Sequence, residues 1–498
     1  MDVNEFREFA KATIDYIADY HENIRDKQVL PDISPGYIKD KVPSDPPKEG
    51  EHWGNLLKDV NDVILPGLTH WQSPNFYAYY PASYSFPSVV GDLLSTGLGC
   101  VGLNWITGPA ITELEVVMMD WLGKMLDIPL AFLNCSEGPG GGIIKGTASE
   151  ATLVCLLAAK DKTVRRVKTL RPDLCDSDIK GKLVAYSSDH SNSSIEKAGL
   201  IGSVPMRLLL SDDEGRLNPQ FLKEAIEQDL KLGLFPCYVV ATLGTTGTCS
   251  FDNLQEIGPI CEEFNVWLHV DAAYAGAAFV CPEYRYLKNG LEYAESFNFN
   301  AHKFMLINFD CSILWVKNAF NLINAFTVER PYLKHEYDSA PEYMHWQIPL
   351  GRRFRALKLW FMIRTYGVEG IRKYIRKQTG LINYFSEILK KDSRFEVCCK
   401  NLALLCFRVR GDDNLTKMLL NKLYERKQIY VISYTYKKNT VIRFSINSNE
   451  CSEADLHFAY TEISNQVDDI LNKNFIVITK EVNFKIEFDK SMELENIH

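Results

Sequence analysis

The stretch that decides the fold is VWLHVDAAYAG (266–276), read together with NFNAHKF (298–304). The first opens on a short Val/Leu-rich run, ends it on Asp271, and then turns into small residues. Such a run, too short for a helix of ordinary length, predicts a strand buried on both faces that delivers a carboxylate at its carboxyl end. The second continues SFNFN (296–300), a further strand, and places Lys303 just past it. Working outward, KLVAYS (182–187), PMRLLL (205–210), CYVVATL (237–243) and SILWV (312–316) repeat the pattern, with helical spacing at 148–160, 218–230 and 253–264. Strands alternating with helices predict an α/β fold built on a mainly parallel sheet covered on both faces. Ligands of such sheets collect at the carboxyl ends of the strands.

Beyond this region the character changes twice. Phe6, Phe9, Thr13, Ile17, Tyr20 and Ile24 recur at helical spacing, which predicts an amphipathic helix over 4–26, stopped before LPDISPGY (30–37) by its prolines and glycine. Its apolar stripe needs a surface, either its own domain or a second subunit. After about residue 375, FEVCCKNLALLCFRVRG (395–411) and KNTVIRFSINS (438–448) read as paired strands, with helices around 413–426 and 452–472. The expected division is a helical, dimer-swapped arm at 1–85, a large α/β domain at 86–375 and a smaller α+β domain at 376–498.

With 46% hydrophobic and 12% aromatic residues among 498, the chain has ample material for a core and is no disordered protein. A net charge of −9 argues against a general nucleic-acid binder. The thirteen cysteines include no CxxC pair, and adjacent Cys398 and Cys399 are poorly spaced as metal ligands, so reduced thiols and no metal site are expected. The N-terminus is charged from its second residue, unlike a signal peptide, and no run reaches the ~18–20 apolar residues of a membrane span. A soluble cytoplasmic protein without membrane or nucleic-acid partners is expected.

EGPGGGIIKGTASE (137–150) invites a nucleotide-loop reading that fails on spacing: no GxGxxG fits, and Lys145 precedes its glycine. What remains is a flexible glycine run, then Thr147, Ala148 and Ser149 opening a helix whose free N–H groups suit an anion. A strand-end Asp271 can keep a pyridine nitrogen protonated, and Lys303 has the amine to form a Schiff base with the aldehyde of pyridoxal 5'-phosphate. Each residue alone is ordinary. The three together point to that cofactor.

Longer motifs carry a resemblance: ELEVVMMDWLGKML (113–126), GTASEATLV (146–154), ATLGTTGTCSFDN (241–253), WLHVDAAYAG (267–276), NFDCSILWVK (308–317) and HWQIPLGRRFRALKLWF (345–361). Through them the chain resembles the group II pyridoxal-phosphate decarboxylases, aromatic L-amino acid decarboxylase branch, over nearly its whole length. The resemblance implies a fold-type I, aspartate-aminotransferase-like homodimer with active sites between subunits. It implies that Lys303 carries the cofactor, Asp271 pairs with the ring nitrogen, Thr246 lies by the phenolic oxygen and Ala273 packs on the ring. Thr147, Ala148, Ser149, Asn300 and His302 would surround the phosphate. Trp71, Tyr79, Tyr80, Pro81, Ala82, Val101 and Leu103 would line the side-chain pocket, some from the partner. Tyr332, in the charged stretch VERPYLKHEYDSA (328–340), would sit on a mobile catalytic loop and protonate the substrate carbon.

One departure redirects the expectation. Where the decarboxylases carry a histidine stacked on the cofactor, YSSDHSNSSIEKAG (186–199) has Asn192, and His190 occupies a different position of the motif. An amide has no proton to give near neutral pH, whereas imidazole does. Slow protonation leaves the electron-rich carbon open to dioxygen. Insect relatives of the branch with asparagine there are aromatic acetaldehyde synthases, so the resemblance implies L-dopa, dioxygen and water going to 3,4-dihydroxyphenylacetaldehyde, carbon dioxide, ammonia and hydrogen peroxide. Tyr332 and Tyr79 remain decarboxylase-like while Tyr80 fits the synthases. Ala82 replaces a threonine able to meet a catechol hydroxyl, which leaves other aromatic substrates open. The alternatives are a conventional decarboxylase making dopamine-like amines and a non-catalytic dimer. The presence of Lys303, Asp271 and Thr246 speaks against the second.

Overall fold

A computed structural model of the chain describes residues 1–328, 330, 333 and 340–472. The described residues form two compact units: those within 80–380 together with 400–404, and those within 1–79 together with 381–399 and 405–472.

The larger unit is built on seven strands: β1 (Gly141–Lys145), β2 (Leu183–Ser188), β3 (Met206–Leu209), β4 (Phe235–Thr242), β5 (Trp267–Asp271), β6 (Ser296–Asn300) and β7 (Ser312–Val316). Their order is β1-β7-β6-β5-β4-β2-β3. The pairs β2/β3, β2/β4, β4/β5 and β5/β6 are parallel, while β7 runs antiparallel to both β6 and β1. The expected strands and the mainly parallel sheet are all present. The helix Ala148–Leu170 lies on this sheet through Ala151, Val154, Cys155, Ala158 and Ala159, an i/i+3/i+4 stripe of small residues that lets a long helix approach closely.

The glycine run is a correction. Gly141 and Gly142 belong to β1 and are buried. A Cβ on Gly142 would stand 2.7 Å from the Trp315 indole and 2.9 Å from Met119 Cβ. Gly142 is there because the Trp315 ring occupies its side-chain space, so this end of the run is a packed edge strand.

The helix Phe86–Gly97 is amphipathic the wrong way round. Ser88, Gly91 and Ser95 face inward, and a Cβ on Gly91 would stand 2.7 Å from Lys358 Cα. Phe86, Val90, Leu93 and Leu94, at i, i+4, i+7 and i+8, are exposed, and Leu98 beyond the helix extends the stripe.

In the smaller unit, β8 (Phe395–Asn401), β9 (Leu404–Val409), β10 (Ile432–Tyr436) and β11 (Asn439–Ser445) form a sheet in the order β10-β11-β9-β8, flanked by helices Asp413–Arg426 and 453–472. The N-terminal arm belongs to the same unit. Phe76 bridges to Tyr430, and Val29, Leu30, Phe76 and Ala78 make a small core against Tyr430 and Ile432. The first helix, Val3–Glu22, starts on an Asp2/Glu5 capping box and has no buried residue. Phe9 stacks on Trp53 (5.3 Å between centroids), and Tyr20 hydrogen-bonds His70 (2.8 Å). Among the described residues no helix is long and apolar enough to cross a membrane.

Candidate active site

The carboxyl ends of β4, β5 and β6 open into one cavity of the larger unit, as an open α/β sheet predicts. Asp271, the last residue of β5, is buried there and stands opposite Thr242 of β4. Its Oδ1 accepts the Ala273 N–H at 2.9 Å and an Asn298 amide N–H at 3.4 Å. Burial lifts its carboxyl above the usual range, while the charge of Lys303 and these two donors pull it back toward ionisation. Lys303 sits in the short helix Ala301–Phe304 that β6 runs into, with Nζ 5.4 Å from the centre of the Tyr80 ring. Tyr80 stacks on Tyr274 (3.8 Å) and donates its hydroxyl to Thr245 O (2.7 Å).

Across the cavity the helix Ala148–Leu170 presents its N-terminus. Thr147 is its N-cap, accepting the Glu150 N–H at 3.2 Å, and Ala148 and Ser149 line the cavity. His302 is buried, and its Nδ1 accepts the Cys311 N–H at 2.8 Å. Burial, aided by the Lys303 charge, pushes its pKa down to about 4, so it is neutral at physiological pH. Asn192 caps the next helix, Ser193–Gly202: its Oδ1 accepts the Ser194 N–H (3.0 Å) and its Nδ2 donates to Thr246 Oγ1 (2.8 Å). His190 does not line the cavity. Its Nδ1 lies 3.0 Å from where a Cβ on Gly215 would stand.

Thr147, Ala148, Ser149, Asn192, Thr246, Asp271, Ala273, Asn300, His302 and Lys303 are thus gathered around one space. Of the seven residues expected to hold the substrate side chain, Tyr80 is with them. Val101 and Leu103 instead flank Gly351, and Pro81 and Ala82 follow Tyr80 without lining the cavity. Trp71 and Tyr79 belong to the smaller unit, where they stack on each other (5.6 Å) and Tyr79 hydrogen-bonds Tyr430 (3.2 Å). Tyr332 lies outside the described residues. The sequence reading missed Thr242, Ser194, Gly244 and Tyr274 as lining residues. Gly244 had a signal in LGTTG: its φ is +90°, and a Cβ there would press on Ala275 at 2.8 Å.

The chemistry of this donor set fits pyridoxal phosphate from end to end, with N–H groups at a helix N-terminus for phosphate, an acid for a ring nitrogen and an amine for an aldehyde. Two buried polar atoms of the cavity wall, Asn300 Oδ1 and Thr242 Oγ1, find no protein partner, as a wall shaped for a polar ligand requires.

Residues 35–410 match the pyridoxal-dependent decarboxylase conserved domain. The chain is 49% identical to the 3,4-dihydroxyphenylacetaldehyde synthase of Aedes aegypti over 95% of its length and 91% of the relative's. It is also 49% identical to the aromatic-L-amino-acid decarboxylase of Manduca sexta, over 96% and 95%. Among solved structures it superposes on Oryza sativa TDC with PLP and tryptamine with a TM-score of 0.91, at 32% identity over 94% of this chain and 99% of that one. With the family matched over most of the chain and the cavity suited to its cofactor, the protein belongs to the pyridoxal-phosphate-dependent decarboxylases, carbon–carbon lyases, in the branch that holds aromatic L-amino acid decarboxylases and aromatic acetaldehyde synthases.

Proposed function

We propose that this enzyme is an aromatic acetaldehyde synthase, converting L-dopa, dioxygen and water to 3,4-dihydroxyphenylacetaldehyde, carbon dioxide, ammonia and hydrogen peroxide. The observation that carries the reading is the engaged, non-titrating amide of Asn192 in the cavity.

Pyridoxal phosphate, when bound, supplies an electron sink for the substrate's Cα. Lys303 is the residue that would hold it covalently, and Asp271 would keep its ring nitrogen protonated. The backbone at Thr147, Ala148 and Ser149, with Asn300 and His302, would meet the phosphate. Thr246 would face the phenolic oxygen, and Ala273 would pack on the ring.

The proton inventory of the cavity supports the oxidative outcome. Asn192 has no titratable proton and spends its amide on Thr246 and Ser194. His302 is held neutral, and the Tyr80 hydroxyl is committed to Thr245 O. Lys303 and Asp271, the two charged groups of the cavity, would both be taken up by the cofactor. The electron pair left on Cα as carbon dioxide departs therefore remains available. Dioxygen takes that electron pair and becomes hydrogen peroxide with two protons shed by the substrate's own ammonium nitrogen as Cα is oxidised, and water then cleaves the C–N bond to give aldehyde and ammonia. Tyr332 is the residue we assign to the competing route, protonation to the amine.

The outward stripe of Phe86, Val90, Leu93 and Leu94 and the uncovered first helix support a homodimer. In that assembly Val101 and Leu103 would serve the partner's substrate pocket. A closed-vessel assay with L-dopa tests the proposal by following oxygen uptake while amine and aldehyde are separated. Oxygen and aldehyde in near-equal amounts are expected. Amine without oxygen uptake overturns the proposal in favour of a conventional decarboxylase.

A further inference from the structure

Behind Asp271 the two central strands carry a line of polar side chains that the chemistry above does not use. β5 and β6 are parallel, with His269 opposite Ser296 and Asp271 opposite Asn298. Because side chains alternate along a strand, Trp267, His269 and Asp271 share one face of β5, and Ser296 and Asn298 meet them from β6. All five are buried. Trp267 Nε1 donates to Ser296 Oγ at 2.8 Å, and Ser296 Oγ lies 2.8 Å from His269 Nδ1. The other imidazole nitrogen, Nε2, and Asn298 Oδ1 are both buried without a hydrogen bond of standard geometry, and Asn298 is the side chain whose hydrogen bonding bears on the imidazole. Asn298 Nδ2 then reaches Asp271 Oδ1.

The direction of this line is fixed by its ends. Indole N–H can only donate, and an ionised carboxylate can only accept. Asn298 must therefore turn its NH2 toward Asp271 and its oxygen toward His269. Burial pushes the His269 pKa down to about 3, so the ring is neutral and has one N–H. A proton on Nε2 serves the otherwise unpaired Asn298 Oδ1, its diagonal neighbour on the same face. The bare Nδ1 then accepts the Ser296 hydroxyl proton, whose oxygen accepts from Trp267. Every donor points toward Asp271, and hydrogen bonds aligned head to tail polarise one another in a low-dielectric interior. The Tyr238 ring lies nearly parallel to the imidazole (5.9 Å, 18°) and holds its plane.

We infer that Trp267, Ser296, His269 and Asn298 are positioning residues, a one-way hydrogen-bond relay that keeps the Asp271 carboxylate ionised and aimed at the ring nitrogen of pyridoxal phosphate. The inference rests on the assignment of Asp271 to that nitrogen, and the test separates the two.

Apoprotein is titrated with pyridoxal phosphate and with 1-deazapyridoxal phosphate, whose ring carries CH in place of nitrogen, and the melting temperature of each apoprotein is recorded. D271N should weaken pyridoxal phosphate far more than the deaza analogue. H269L should do the same, by about tenfold against less than about twofold, the size expected for hydrogen bonds to a charged group. H269Q, which offers an oxygen to Ser296 and an N–H to Asn298, should return toward the wild-type affinity. S296A, which leaves the imidazole in place, should rank between wild type and H269L and serves if H269L does not fold. Equal weakening of both cofactors by H269L or S296A, or no weakening, with D271N still selective, overturns the relay. D271N without selectivity overturns the assignment of Asp271 and the relay with it.

Discussion

Asn192 does two things at once, and they pull against each other under mutation. It caps the helix Ser193–Gly202 and it occupies the cavity face beside Thr246. Asn192→His should turn product from aldehyde toward amine, because an imidazole brings a proton that titrates near neutrality. The same change gives up a good N-cap and should cost about 1 kcal/mol of stability, read from urea unfolding. An unchanged aldehyde fraction would remove Asn192 from the proposal. Lys303→Ala should abolish both products, which chromatography of the same reaction mixtures would check. At this scale the sequence was most legible where the chemistry is contiguous, as in the acid ending a strand and the lysine just past another. It was least legible where strand pairing creates the neighbourhood. Thr242 is twenty-nine positions from Asp271 in the chain but directly opposite it in the sheet, and no local pattern announces that.

Among elements, the parallel core strands could be read directly, because strands buried on both faces are written as apolar runs between turn signals. SFNFN and SILWV have the observed limits residue for residue. β1 escaped because its sequence, GGIIK, has the composition of a loop and the environment of a strand. What makes Gly142 necessary is Trp315 of β7, 173 residues later and paired with it in the ladder. Gly142→Ala should therefore destabilise the larger unit by about 1–3 kcal/mol, the usual cost of overpacking, with a lower urea midpoint and an unchanged slope. A neutral result would mean that the indole can move aside. The outward stripe on the helix Phe86–Gly97 was equally hidden, since its periodicity says that one face is apolar but not which way that face looks.

For the whole molecule, that stripe sets the expected assembly. Leu94 is 46% exposed in the single chain, so Leu94→Asp should leave the fold of the chain intact. If a second copy covers this face, the variant should sediment near the chain mass of 56.8 kDa instead of twice that, and lose turnover with it. Unchanged sedimentation would place the interface elsewhere. The alternation along β5 has a consequence of a different kind. A slip of one residue against β4 or β6 would send Asp271, with His269 and Trp267, to the opposite face of the sheet and leave the cavity without its acid. Pyridoxal phosphate would then bind the correctly threaded sheet and ignore the slipped one, favouring the former by about 2.7 kcal/mol at a hundred times its dissociation constant. The cofactor would act as a proofreader of folding, and its supply during synthesis would bear on how much of the newly made chain becomes enzyme.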